Sequence, residues 1–113
     1  MTIVTLNGDK LTVSERFRKS DYFAFLDGES IEIVKNPHKH SKSPQFFEYF
    51  TPLGVERIYT KALGYKTFLK LNRLGVDVYF TDALTLEEFQ GSKCLKLDSN
   101  NAKELCTLGH TGR

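Results

Sequence analysis

Leu53-Gly54-Val55-Glu56-Arg57-Ile58-Tyr59 and Leu74-Gly75-Val76-Asp77-Val78-Tyr79-Phe80 are two copies of one pattern, 21 residues apart. In each copy a glycine stands where a helix ends and the chain needs a positive φ, and a β-type run follows at once. Between them, Tyr65 to Leu74 reads as a helix with Phe68 and Leu71 turned inward. Helix, glycine, strand, helix, glycine, strand is the sequence form of parallel βα units joined by a right-handed crossover.

Upstream the pattern is antiparallel. Ile3 to Leu6 is a short β-branched run stopped by Asn7-Gly8. Tyr22–Leu26 and Ile31–Val34 flank Asp27-Gly28, a strong hairpin signal, and the alternation of the second run turns one face to solvent. Ser14 is expected to cap a short turn through Glu15-Arg16-Phe17. Asn36-Pro37 closes the hairpin, and Lys35 to Lys42 reads as a loop with three lysines, two histidines and no acid. Ser43 as N-cap and Pro44 at N1 then open a helix whose stripe is Phe46, Phe47, Phe50 and Leu53, with its last turn frayed by Pro52. Thr85 and Glu88 form a capping box for a short helix. From Gly91 the periodicity fades, Ser99-Asn100-Asn101 breaks the chain, Ala102 to Leu105 holds one turn, and a mobile tail is expected from Leu108. The expectation is an α/β domain over residues 1–90, with a mixed sheet covered by helices, and a partly mobile extension over 91–113.

Composition bounds the function. A chain of 113 residues is one domain, and 40% hydrophobic with 27% charged residues excludes wholesale disorder and fibrous classes. Cys94 and Cys106 are too few for a secreted disulfide scaffold. The apolar start, Met1 to Leu6, is too short for a signal h-region or a membrane span, so the reading is cytoplasmic with no membrane partner. A net charge of +2 makes no case for a general nucleic-acid binder. That total hides an asymmetry. Five of the 16 bases (Arg57, Lys61, Lys66, Lys70, Arg73) lie between Arg57 and Val76, where there is no acid, so the rest of the chain sets 11 bases against 14 acids.

The order of these features resembles the dinitrogenase iron–molybdenum cofactor biosynthesis family, which includes the NifX and NafY proteins and the C-terminal domain of NifB. The resemblance covers roughly residues 2–90. It is carried by the short first strand, Val13-Ser14-Glu15-x-Phe17, the Phe23–Val34 hairpin, Asn36-Pro37-His38, and the two Leu-Gly-Val copies with Gly64 between them. It implies a three-layer α/β/α domain with a ribonuclease H-like motif and a mixed five-stranded sheet in the order 3-2-1-4-5. It further implies a non-catalytic protein that binds or carries an iron–sulfur-type metallocofactor, the iron–molybdenum cofactor or a precursor, among nitrogenase-assembly proteins. Where the family usually reads Ser-Glu-His-Phe-Gly-Arg, this chain has Ser14-Glu15-Arg16-Phe17-Arg18-Lys19. Arg16 thus stands in place of a histidine that could ligate a cluster, which favours an alternative: a protein–protein interaction module of the same fold that has lost its cofactor.

In that strand order the first and fourth strands are parallel neighbours whose connections leave in opposite directions, a topological switch point where α/β sheets bind ligands. Asn7 through Lys19 and Thr60 through Gly64 line it, so Arg16, Arg18, Lys19 and Lys61 are expected to crowd one cationic mouth, with Gly64 and Tyr65 at the helix start beside it. Lys66, Lys70 and Arg73 extend the basic face. Such a mouth suits an anionic ligand, or is simply a solvated face. His38 and His40 can both reach a metal from a flexible loop, or form an exposed polar loop; family members often carry His near this Asn-Pro. Cys94, Cys106 and His110 have a spacing that can chelate, set against a core thiol and a mobile tail. Nuclease chemistry is excluded, because it needs a carboxylate within the first strand and Thr2 to Leu6 has none. A weak RNA or DNA binder using the same basic face is a third, minor reading.

Overall fold

Gly54 and Gly75 adopt φ of 70° and 79°, the left-handed conformation the two Leu-Gly-Val copies require. The second ends helix α2 (Tyr65–Arg73) in a full Schellman motif. Its N–H donates to Asn72 O at 3.1 Å and the Val76 N–H to Leu71 O at 3.0 Å, with Leu71 and Val76 together in the core. A Cβ at Gly75 would meet nothing within 4 Å, so Gly75→Ala is expected to cost about 1–2 kcal/mol in urea unfolding through backbone strain alone.

The computed structural model describes residues 1–106. Strand β1 (Thr2–Leu6) pairs antiparallel with β2 (Tyr22–Asp27), which pairs antiparallel with β3 (Ser30–Lys35). On its other side β1 pairs parallel with β4 (Arg57–Thr60), with Ile3 opposite Ile58, and β4 pairs parallel with β5 (Asp77–Thr81), with Ile58 opposite Val78. The two-residue hairpin between Asp27 and Ser30 has a positive φ of 61° at Gly28. The expected order 3-2-1-4-5 is present, and a sixth strand, β6 (Cys94–Lys96), adds antiparallel to β5. β6 lies where the periodic signal fades. All three of its residues are exposed, so no apolar alternation marks it. Beyond it, Leu97, Ala102 of helix α3 (Ala102–Leu105) and Cys106 are buried in the main core.

Helix α1 (Ser43–Phe50) contributes Phe46, Phe47 and Phe50 to that core, and α2 contributes Phe68 and Leu71. Both pack on the sheet face that carries Ile3, Phe23, Ile58 and Val78. The opposite face, with Val4, Leu6 and Ala24, is covered by Val13, Ala83, Leu86 and Phe89, so among the described residues the third layer is thin and made of loops and one 3-10 turn, Phe89–Gly91.

Two caps differ from the expectation. The N-cap of α1 is Lys42, not Ser43, because Lys42 is extended (φ −72°, ψ 160°) and its carbonyl accepts the first helical bond from the Phe46 N–H at 3.1 Å. Ser43 and Pro44 are therefore the first two helical residues. The capping pair forms at Thr85, whose Oγ1 accepts the Glu88 N–H at 3.2 Å, but no α-helix follows. The Leu86 N–H is held by Leu11 O at 2.8 Å and Thr85 bridges Thr12, which ties this backbone to the neighbouring loop.

Candidate functional site

β1 and β4 are parallel neighbours, and the chain leaves β1 toward β2 and β4 toward β5, which makes their C-terminal ends the switch point. A buried polar knot floors this crevice. Thr5 Oγ1 donates to Thr60 Oγ1 at 2.9 Å, and both hydroxyls reach Ser14 O, at 3.2 and 3.3 Å. The Ser14 N–H donates to Thr5 O at 2.9 Å, so the loop after β1 is sewn across the strand ends. Ser14 caps no helical turn; its Oγ accepts the Arg16 N–H at 3.0 Å in a side-chain turn.

Beyond Ser14, one residue anchors the loop. Phe17 is buried against Phe46 and Phe50, edge-on at ring distances of 5.2 and 5.4 Å, and beside Phe23 at 6.1 Å. With Phe17 driven inward, its neighbours Arg16 and Lys19 stand exposed and Arg18 half-buried. Hydrophobic burial at one position thus presents cations at the flanking ones.

A second loop, 36–42, meets the first, and Asn36 joins them. Its buried side chain donates from Nδ2 to Arg18 O at 2.9 Å and to Ser20 O at 3.0 Å, and its Oδ1 accepts the His38 N–H at 3.0 Å. Arg18 Nη1 adds a bond to Ser41 O at 3.2 Å, and Lys39 is ion-paired with Asp21. The two loops flank an open cavity of about 430 Å³ lined by Arg16, Arg18, Lys19, Lys39, His40 and Lys42. No acid lines it. Arg16 is also on the rim of an adjoining cleft of about 560 Å³ that holds Lys61, Ser14 and Glu15.

The structure places Arg16, Arg18 and Lys19 on one cavity, which His40 also lines, and places Lys61 not there but in the adjoining cleft that shares Arg16. His38 turns away: its Nδ1 lies 2.9 Å from Ser41 Oγ and its ring packs on Tyr49 at 5.3 Å. Gly64 is buried at the N-cap of α2 in ordinary extended backbone (φ −71°, ψ 146°), and Tyr65 packs on Phe68; neither lines the two clefts. Lys70 lies over the Phe47 ring at 4.6 Å, on the α1–α2 side. Cys94 is exposed with Ser92 Oγ 3.5 Å from its thiol, Cys106 is in the core, and His110 lies outside the described residues. Among the described residues no three His, Cys, Asp or Glu gather to hold a metal ion. Lys39, Lys42 and the Asn36 clasp escaped the sequence reading. Their one signal was Asn-Pro closing a strand ahead of a basic loop.

Burial pushes the Cys106 thiol up from its ordinary 9.0 to about 11. The folded state then holds this proton more tightly than the unfolded chain, so its contribution to stability is intact below pH 9 and is lost as pH rises through about 11. In a thiol-trapping experiment at pH 8, Cys94 is expected to react promptly and Cys106 only on unfolding.

A mixed-sheet α/β domain with a cationic concavity beside its switch point is the class that fold and site define together. The chain belongs to the dinitrogenase iron–molybdenum cofactor family, whose sequence profile matches residues 1–90. It is similar to a NifB-like protein from Thermotoga solved by NMR, at 29% identity and a TM-score of 0.62, over 77% of this chain and 80% of that one. It is also similar to the apo form of the orange protein from Desulfovibrio gigas, at 25% identity and a TM-score of 0.64, with the same coverage. No curated protein is significantly similar to it. No helix among the described residues is long and apolar enough to cross a membrane.

Proposed function

We propose that this protein is a non-catalytic, cytoplasmic carrier for an anionic iron–sulfur-type metallocofactor, the iron–molybdenum cofactor or a precursor, in nitrogenase cofactor assembly or a related pathway. The observation that carries this reading is the cavity walled by Arg16, Arg18, Lys19, Lys39, His40 and Lys42 in a member of a family named for that cofactor. The donor set suits a particular kind of cargo. One imidazole and five cations, of which Lys39 is already paired with Asp21, offer charge and N–H donors rather than a ligand sphere, so they fit a preassembled anionic cluster that brings its own ligands. Arginine holds such an anion by forked hydrogen bonds where a histidine would bond a metal.

Anaerobic incubation with isolated cofactor, then gel filtration and metal analysis, tests this. Iron co-eluting at about one cluster per chain is the expected result. Protein free of iron, under conditions that load a NifX-type carrier, overturns it. Arg16 in the family's histidine position supports a second reading, an interaction module that has lost the cofactor. That reading requires a stoichiometric nitrogenase-assembly partner in a pull-down while iron stays blank.

A further inference from the structure

Among the described residues β3 is an edge of the sheet and pairs with β2 alone. The two-residue turn makes Asp27 and Ser30 a mutually hydrogen-bonded pair, and the Asn36 N–H still donates to Asp21 O at 3.0 Å at the far end. Residues 30, 32, 34 and 36 therefore bond inward to β2, while Ile31, Ile33 and Lys35 turn their N–H and C=O groups outward. The side chains of Ile31 and Ile33 share one face of the sheet beside Leu26 and Ala24, and are 55% and 39% exposed. β3 has no proline, and its six-pair register with β2 runs without a bulge, so two devices that commonly guard edge strands are missing.

We propose that β3 is the interface of a homodimer, in which two copies pair antiparallel about a two-fold axis at Ile33 and join their sheets edge to edge. Symmetry, charge and the extent of the strand select this register, since an axis on Ile31 would set Ile33 and Lys35 opposite Glu29 and Asp27, outside β3. A two-fold axis normal to the sheet keeps side chains of like parity opposite one another. Centring it on Glu32 sets two carboxylates face to face. Centring it on Val34 sets Ile31 opposite Pro37, which has no N–H to give. Centring it on Ile33 pairs Ile33 with itself and Ile31 with Lys35, uses every outward N–H and C=O of those three residues, and brings Lys35 diagonal to Glu29 of the second copy. The four isoleucines then form one apolar strip. The same register lays the second copy's Gly28–Glu29 turn against Pro37, on the rim of a cavity of about 720 Å³ that Pro37 lines with Asp21, Tyr22, Lys35, Lys39 and His40. The dimer thus adds an acid beside the basic loop.

Sedimentation equilibrium of the full chain tests the proposal, with the dimer expected at twice the 12.9 kDa chain mass. Ile33→Lys, at an exposed position, is expected to give monomer with an unchanged circular dichroism spectrum. Independently, Ile33→Cys in a Cys94→Ser background is expected to form an intermolecular disulfide on mild oxidation, because a hydrogen-bonded antiparallel pair sets its Cα atoms about 5.5 Å apart. Glu32→Cys is expected not to. A wild type that is monomeric at every concentration, a dimer unmoved by Ile33→Lys, or equal cross-linking at 32 and 33 overturns the proposal.

Discussion

Replacing Asn36 with leucine is expected to lower the unfolding free energy by about 2–4 kcal/mol, because it strips partners from the Arg18 and Ser20 carbonyls and the His38 N–H in one step. Burial makes the loss large: an unmade hydrogen bond to water-exposed groups would cost far less. Asn36→Asp separates stability from function. It keeps the acceptor for His38 but sets carboxylate oxygens against two carbonyls, so the loop carrying Arg16, Arg18 and Lys19 should part from the loop carrying His40 and Lys42. Measured well below its melting temperature, this variant is expected to bind an anionic cluster about tenfold more weakly. Urea unfolding gives the first quantity and anaerobic titration the second. Affinity equal to wild type in folded Asn36→Asp would show that the clasp does not position the cavity.

Phe17→Ala is expected to cost about 3–5 kcal/mol, the range for deleting a fully buried aromatic ring. Three phenylalanines lose a ring contact at once, and α1 loses its tie to the loop after β1. Phe17→Leu, which keeps most of the volume, is expected to cost about 1 kcal/mol. The comparison matters for the site, because Phe17 is the pin that turns Arg16 and Arg18 outward. Leu11→Ala in the same loop, at an exposed residue, should stay within about 0.5 kcal/mol of wild type. Denaturant midpoints at constant m-value check all three.

The fold was written where local chemistry is unambiguous. Glycines that must take a positive φ punctuate the two Leu-Gly-Val copies, and Asp27-Gly28 punctuates the hairpin, so the strands and their directions followed from few residues, while the order 3-2-1-4-5 came from the family resemblance. β6 was not written that way. Three exposed residues carry no periodicity, and they pair because Leu97 beyond them is buried and its N–H bonds Val78 O at 2.8 Å. The site was half visible. Each basic residue could be read singly, and the switch point gathered Arg16, Arg18, Lys19 and Lys61. That switch-point reading also drew in Gly64 and Tyr65, which line neither cleft. The Thr5–Thr60–Ser14 knot floors the crevice, and the larger cationic surface lies to one side, between two loops. Nothing local in Lys35 to Lys42 says that it meets residues 16–19. That meeting rests on Asn36 reaching back 18 residues to Arg18 O, a tertiary contact.

In the proposed carrier, cations of the two loops hold an anionic cluster by charge. Anaerobic titration of isolated cofactor into wild type and into Arg16→Glu/Lys19→Glu tests it most directly, since both positions are exposed and their reversal should leave the urea midpoint in place. The expected result is binding by wild type that weakens as salt rises from about 0.1 M to about 1 M, where the screening length falls from about 10 Å to about 3 Å, and a loss of at least about tenfold in the folded double variant. Equal affinity in the two proteins, with a flat salt response, would contradict it.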